Sequence, residues 1–239
     1  MSVLTSLKQD LLKFRQMPYH NDPALATTLA HVQQWQRERI RHTHAELFNQ
    51  PKHHAMADFL INKLYGGDAF IKLAEQLERI LPKAEKLEKF VPNSALQTGI
   101  LGIEAAIEAI RLDLQLAQYI QATHPEVSTN QQSLNDTVMI EAYQAVNEPQ
   151  ARHQQIEQLR DVCYQTDKYI KSFVLQKAFA LAKSTAYKYN YHPLYNFVAE
   201  GFEAIKPIKS IGAFIDPFCA KENAIIDNVH SNKPSPFMV

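Results

Sequence analysis

Histidine is the residue type that first suggests chemistry in this chain. There are ten histidines, and His42, His44, His53 and His54 cluster around Asn49-Gln50-Pro51. Imidazole is a common ligand of zinc and iron, so a helical turn that gathered these four would read as a metal centre. Helix geometry opposes it. At roughly 100° per residue, His42 and His44 point about 200° apart on one helix, and the same argument separates His53 from His54. At most one imidazole of each pair converges, joined by Glu38 or Glu46, and no metal ligand is assigned. The helical di-iron pattern needs Glu-x-x-His units on separate helices, and none occurs. His153 and Glu157 form a single i,i+4 pair, which reads as an exposed helix pair. Haem attachment through Cys-x-x-Cys-His is absent; His31 and His192 are the histidines nearest apolar neighbours.

Nucleophile and phosphate signatures are also missing. There is no Gly-x-Ser-x-Gly turn and no glycine-rich phosphate loop, and Gly66-Gly67 reads as a helix end and turn. Cys163 falls on an apolar helical stripe and reads as a small core side chain; Cys219 is less clearly buried. Glu104 and Glu108 sit one turn apart and are expected to face outward. No catalytic residue and no cofactor are expected, and the reading leans against an enzyme. A metal- or haem-dependent enzyme in a helical bundle, with His42, His53 or His54 as ligands, is the alternative.

Two clusters remain. Trp35, Arg39, His42 and Glu46 are spaced four, three and four, which places them on one helix face. A guanidinium one turn from a tryptophan stacks on it and presents a mixed apolar and cationic surface, or else caps a core-edge ring with Glu46 as counter-ion. The ligand-binding expectation is Trp35, Arg39, His42 and Tyr65 beside an inter-helical groove. That groove would take a small apolar or anionic molecule, or a protein partner. The second cluster is Tyr187 to Tyr195, preceded by Lys168, Lys171, Lys177 and Lys183. Aromatics interleaved with lysine can stack bases, but these lysines fall on several helix faces and Asp161 and Asp167 dilute them. No nucleic-acid partner is expected.

The elements that must position these residues are helical. Of 239 residues, 46% are hydrophobic, 25 are Lys or Arg and 25 are Asp or Glu, so the formal net charge is zero. That balance removes the simplest electrostatic ground for nucleic-acid binding. Six glycines disfavour all-β folds, which need many glycine turns. Two cysteines are too few for a disulfide scaffold. Asp22-Pro23 signals a helix start, and proline or glycine marks most later breaks. Leu96, Ile100, Ile103, Ile107, Ile110, Leu114 and Ala117 make one sustained apolar stripe, flanked by Gly99, Gly102, Ala105, Ala106 and Ala109. This predicts a central helix that another backbone approaches closely. The stretch from Pro149 to Tyr189 is too long for a compact domain as one helix, so a break is expected.

The expected fold is all-α: a single helical-bundle domain of about eight helices over residues 1–228. Residues 1–20 would form an appendage helix and 229–239 a flexible tail. The amphipathic segment from Ile208 to Ile226 is expected to close the core, with homodimerisation or cover of an apolar pocket as alternatives. No transmembrane segment is expected: the most apolar run, Thr98 to Ile120, is interrupted by Glu104, Glu108, Arg111 and Asp113. With no secretory leader pattern at Met1 to Asp10, a cytoplasmic location is expected.

Trp35-Gln36-Arg37-Glu38-Arg39, Phe59-Leu60-Ile61-Asn62-Lys63-Leu64-Tyr65, Asp68-x-Phe70 and Arg79-Ile80-Leu81-Pro82 follow one another in the first third of the chain. This order resembles an uncharacterised bacterial family named for its FFLEELY motif, aligned on Phe59 to Tyr65. Phe59, Leu64 and Tyr65 match outright, while the two glutamates fall on Asn62 and Lys63. The resemblance implies an all-α bacterial protein of unknown function and transfers no catalytic residue. It places Asn62 and Lys63 on an exposed face, with Phe59 and Tyr65 packed inside.

Overall fold

The computed structural model describes residues 3–65, 67–81, 93–128 and 133–239. Among them are twelve α-helices and no strand, so the all-α class is right and the helix number exceeds the expected eight. In order these are α1 (Val3–Arg15), α2 (Pro23–Thr43), α3 (Ala45–Phe48), α4 (His54–Phe59), α5 (Gly67–Ile80) and α6 (Asn93–Thr123). They continue with α7 (Pro125–Ser128), α8 (Asp136–Val146), α9 (Pro149–Ile170), α10 (Phe173–Lys188), α11 (His192–Ile205) and α12 (Gly212–His230). The count rises because expected long helices break. His44 interrupts the helix opened at Pro23 and separates α2 from α3. Ser172 splits the long stretch after Pro149, its hydroxyl accepting from the Leu175 amide at the start of α10. The sequence also predicts a short helix over Lys83 to Phe90, ending before Pro92, and that segment lies outside the described residues.

Local chemistry explains the starts. Asp22 Oδ1 accepts from the Leu25 amide at 3.0 Å, with Pro23 at the first helical position, so an orphan amide is satisfied and φ is preset. Asn135 does the same for α8 through Val138. After α4 the chain widens into a π turn, Leu60–Leu64, closed by the Tyr65 amide donating to the Leu60 carbonyl at 3.0 Å. The wider winding buries Leu60 and Ile61, leaves Asn62 and Lys63 exposed and holds Phe59 and Tyr65 half-buried.

The 31-residue α6 is about 46 Å long and runs through the interior. Its stripe is buried from Ile100 through Ile107, Ile110, Leu114 and Ala117 to Ile120. Two apolar clusters form around it. One joins α1, the first half of α2, α5, α6, α7, α8 and the end of α12; the other joins the end of α2 with α3, α4, the π turn, α9, α11 and the first part of α12. The approach of α11 to α4 depends on Gly201, where a Cβ would lie 3.0 Å from the Phe59 ring. Among the described residues no helix is long and apolar enough to cross a membrane.

After α12, Pro236 and Phe237 pack against the body. Phe237 meets Trp35 edge-on with ring centroids 5.1 Å apart, and Asn228 Nδ2 donates to the Pro236 carbonyl at 3.3 Å. Trp35 is the only tryptophan in the chain, so its emission reports this seat. Phe237→Ala should shift that emission to the red and cost about 1–2 kcal/mol, less than a fully buried phenylalanine because Phe237 is half-buried. Fluorescence and urea unfolding of the variant check both; an unchanged spectrum would show that the contact does not persist in solution.

Candidate functional site

Where the two apolar clusters meet, eight polar side chains come together out of solvent, six from five helices and two, His44 and Tyr65, from positions between elements. The centre is an ion pair between helices distant in sequence. Arg39 on α2 donates from Nη1 and Nη2 to both carboxylate oxygens of Glu222 on α12, at 2.5 and 2.8 Å. The pair is buried, with side-chain exposures of 10% and 7%. His44, fully enclosed at the junction of α2 and α3, donates from Nε2 to the same carboxylate at 2.7 Å. Its ring stacks 4.4 Å from Phe218.

A second ionic centre adjoins the first. Asp113 of α6 accepts from Tyr65 Oη at 3.0 Å and from Gln36 Nε2 at 3.5 Å. Arg152 of α9 lies 3.7 Å from it, donates to the Leu112 carbonyl at 3.2 Å and sits 4.6 Å over the Tyr143 ring. Gln36 bridges the centres. It donates to Tyr143 Oη and accepts from Arg39 Nη2 at 3.2 Å. The π turn makes this possible by delivering Tyr65 to Asp113.

The two carboxylates respond oppositely to burial. Burial pushes the Glu222 carboxyl up, but the Arg39 charge and the hydrogen bonds from His44 and Arg39 outweigh it and hold the group down at about 2. At Asp113 burial wins over Arg152, Tyr65 and Gln36, and the carboxyl is raised. Burial, with the Asp113 charge beside it, also raises the Tyr65 phenol, and burial raises that of Tyr143. Arg39 is held charged by Glu222 against its own desolvation.

Beside this network is a cavity of about 130 Å³. Its walls include Ile40, Leu60, Leu64, Leu159 and Phe218, and one side is formed by Gly102, Ala105, Ala106 and Ala109 of α6. Those small residues leave room as well as allowing approach: a Cβ on Gly102 would meet only Val162, at 3.8 Å. Gln36, Arg39, Tyr143, Arg152 and Glu222 form its polar end. A larger opening of about 270 Å³ lies between α10, α11 and the end of α9. Its charges, Glu203 and Lys206, are exposed and pair with each other at 3.4 Å, so no buried polar group faces it.

The sequence-expected site residues separate. Arg39 and Tyr65 line the cavity. Trp35 does not; its indole donates to Asp136 at 3.0 Å and packs on Phe237. Arg39 turns to Glu222 rather than stacking on Trp35, because only there does its charge find a buried carboxylate. His42 and Glu46 are exposed and lie outside the cavity. The turn after α3 splits the other histidines: His53 is buried with Nδ1 on the Leu47 carbonyl at 3.0 Å, whereas His54 is exposed. Among the described residues no three His, Cys, Asp or Glu side chains are grouped as a metal ion would need. Both cysteines are buried, and burial pushes each thiol up to about 12.

Breaking the ion pair from one side leaves a buried charge uncompensated. Arg39→Met and Glu222→Gln should each cost about 3–5 kcal/mol. Changed together they should lose less than the two single losses combined, since neither ion is then stranded. Denaturant unfolding of the four proteins measures this; strict additivity would show the pair uncoupled. The pH dependence has a definite sign. The folded Glu222 carboxyl ionises below the 4.5 of an unperturbed glutamate, so its contribution is complete above 4.5 and lost as pH falls from 4.5 towards 2. Stability should fall in that window by up to about 1.4 kcal/mol per pH unit from this group. Asp113, being raised, acts in the opposite direction. The comparison with Glu222→Gln isolates the term: that variant should show a shallower acid limb, and an identical limb would refute it.

No curated protein and no solved structure matches this chain. The model of a domain of unknown function (DUF8198) matches residues 16–236, which carry both ionic centres and the cavity, and the chain belongs to that family.

Proposed function

We propose that the protein binds a small amphipathic molecule in the cavity between α2, α6, α9 and α12, without transforming it. The observation that carries this reading is the cavity's two-sidedness, apolar walls closing on one charged end. Binding sites of this kind take their energy from apolar contact and their orientation from a few placed polar groups. The volume sets the scale. An apolar core cavity of roughly 150 Å³ accommodates one benzene ring, so about 130 Å³ suits a single ring or a short branched chain. Arg152 supplies the recognition element. Its ionic contact with Asp113 is long, at 3.7 Å, which leaves guanidinium donors for a ligand carboxylate or hydroxyl. Arg39, held through Nη1 and Nη2 by Glu222 and Gln36, shapes that end. In this reading the segment resembling the FFLEELY motif is one wall of the binding site, contributing Leu60, Ile61, Leu64 and Tyr65.

Benzoate and benzene are suitable probes, since they share a ring and differ by the acidic head. A hundredfold excess of benzoate over its Kd should raise Tm by roughly 5–10 °C. Ala106→Leu, which fills the cavity from α6, should abolish the effect of both probes. Arg152→Gln should remove the preference for benzoate. Absence of any thermal shift with either probe, together with a purified protein whose native mass equals the chain mass, would overturn the reading.

A further inference from the structure

The side chains of α10 are more exposed than those of any comparable helix of the fold. None of them is buried. Of the large exposed hydrophobic residues, Phe173, Val174, Leu181 and Tyr187 lie on α10, at exposures of 68%, 73%, 79% and 47%, and Tyr189 caps its end. The inward side is accounted for: Phe179 stacks flat on Tyr195 at 4.3 Å and leans on Phe202. At about 100° per residue the positions opposite Phe179 are Phe173, Val174, Lys177, Leu181, Ser184 and Lys188. All six are exposed. This face is therefore apolar, cationic and uncovered by any other element described.

Its charge is one-sided. From residue 168 to 191 the chain carries Lys168, Lys171, Lys177, Lys183 and Lys188 and no Asp or Glu; Lys171 pairs with Asp167 at 2.6 Å, and Lys177 and Lys188 are the cations of the outward face. That is notable in a chain whose charges cancel. Three of the ammonium groups lie over aromatic rings, Lys177 at 4.4 Å from Phe173, Lys183 at 5.9 Å from Tyr187 and Lys188 at 5.7 Å from Tyr189. Apolar side chains interleaved with lysine on a convex helix suit a surface that is anionic outside and apolar just beneath. Lysine stems lie along the apolar region while their ammonium groups stay at the charged level, and tyrosine rings favour the same boundary. A second copy is the poorer occupant, because two such faces would oppose lysine to lysine with no acid to pair them.

We propose that α10 is a docking face for anionic lipid bilayers, lying in the plane of the headgroups with Val174 and Leu181 inserted and its lysines on the phosphates and carboxylates. Attachment would be peripheral and reversible, and it adds a location to the ligand site without depending on it.

Sedimentation of the full chain with vesicles tests this. Vesicles of equal parts phosphatidylserine and phosphatidylcholine should bind roughly a hundredfold more tightly at low salt than phosphatidylcholine alone, and added salt should release the protein. Val174→Ser with Leu181→Ser should abolish binding, and Lys177→Glu with Lys188→Glu should do the same. These positions are exposed, so thermal unfolding should be unchanged in both variants. Equal affinity for neutral vesicles, or binding that survives either double variant, would overturn the proposal. So would equally tight binding to soluble polyglutamate, which would identify an acidic polypeptide as the partner. A dimer dissolved by Leu181→Ser would overturn it in favour of self-association.

Discussion

The guanidinium of Arg39 and the carboxylate of Glu222 meet where neither ion would be stable alone. Withdrawing such ions from water costs several kcal/mol each, and only close, multiply hydrogen-bonded pairing offsets it. The fold provides that pairing: two Arg39 donors on one carboxylate, a third from His44, and Gln36 leading to the second centre at Asp113. The consequence is registry. A rotation of α2 or α12 by one residue would swing a charge into one of the apolar clusters, so these helices have one acceptable relative setting. Apolar contacts supply most of the cohesion, but they tolerate rearrangement. The ionic network selects among the arrangements.

A cavity beside such a network is costly to keep. Its lining gives up contacts that a filled core would make, since a gap offers no partner atoms on one side. The void exists because α6 presents glycine and alanine where leucine would close the gap. The same small residues satisfy α6 as a helix, alanine being the best helix former, so local stability and global openness are compatible in this element. The polar end is rigid because each of its groups is already held by others.

The helical class, the central stripe of α6 and the Asp22-Pro23 start were legible in the sequence, each from signals a few residues apart: caps, prolines and a 3.6-residue period. A break somewhere between Pro149 and Tyr189 was legible from length alone, but not its place at Ser172. The candidate site was legible only in Arg39 and Tyr65. Its other members are paired across long separations, and a helix-face argument sees neighbours on one helix only. A signal was nonetheless present. Glu222 occupies the apolar register of α12, between Phe218 and Ile225; Asp113 sits between two buried leucines of α6; His44 falls between Ile40 and Phe48. Polar residues on an apolar stripe are the trace of a buried network. His42 misled because its neighbours in spacing, Trp35 and Arg39, do face inward, while α2 ends just beyond it. The π turn was invisible, since one extra residue per turn leaves no compositional mark.

The ion pair joins positions 183 residues apart, and that separation has a consequence for synthesis. Chains emerge from the ribosome N-terminus first. α2 is complete, with Arg39 in place, long before α12 exists. Until Glu222 arrives, the Arg39 charge must stay in water, and the seam between the two clusters cannot close around it. The α1–α2–α5–α6 side can begin to consolidate early because most of its apolar contacts are nearer in sequence, with Ile225 and Val229 joining it only when α12 docks. The other cluster must remain ajar until the same helix arrives. The same late step brings Phe237 onto Trp35, so both of these contacts of α2 wait for α12 and the residues just after it.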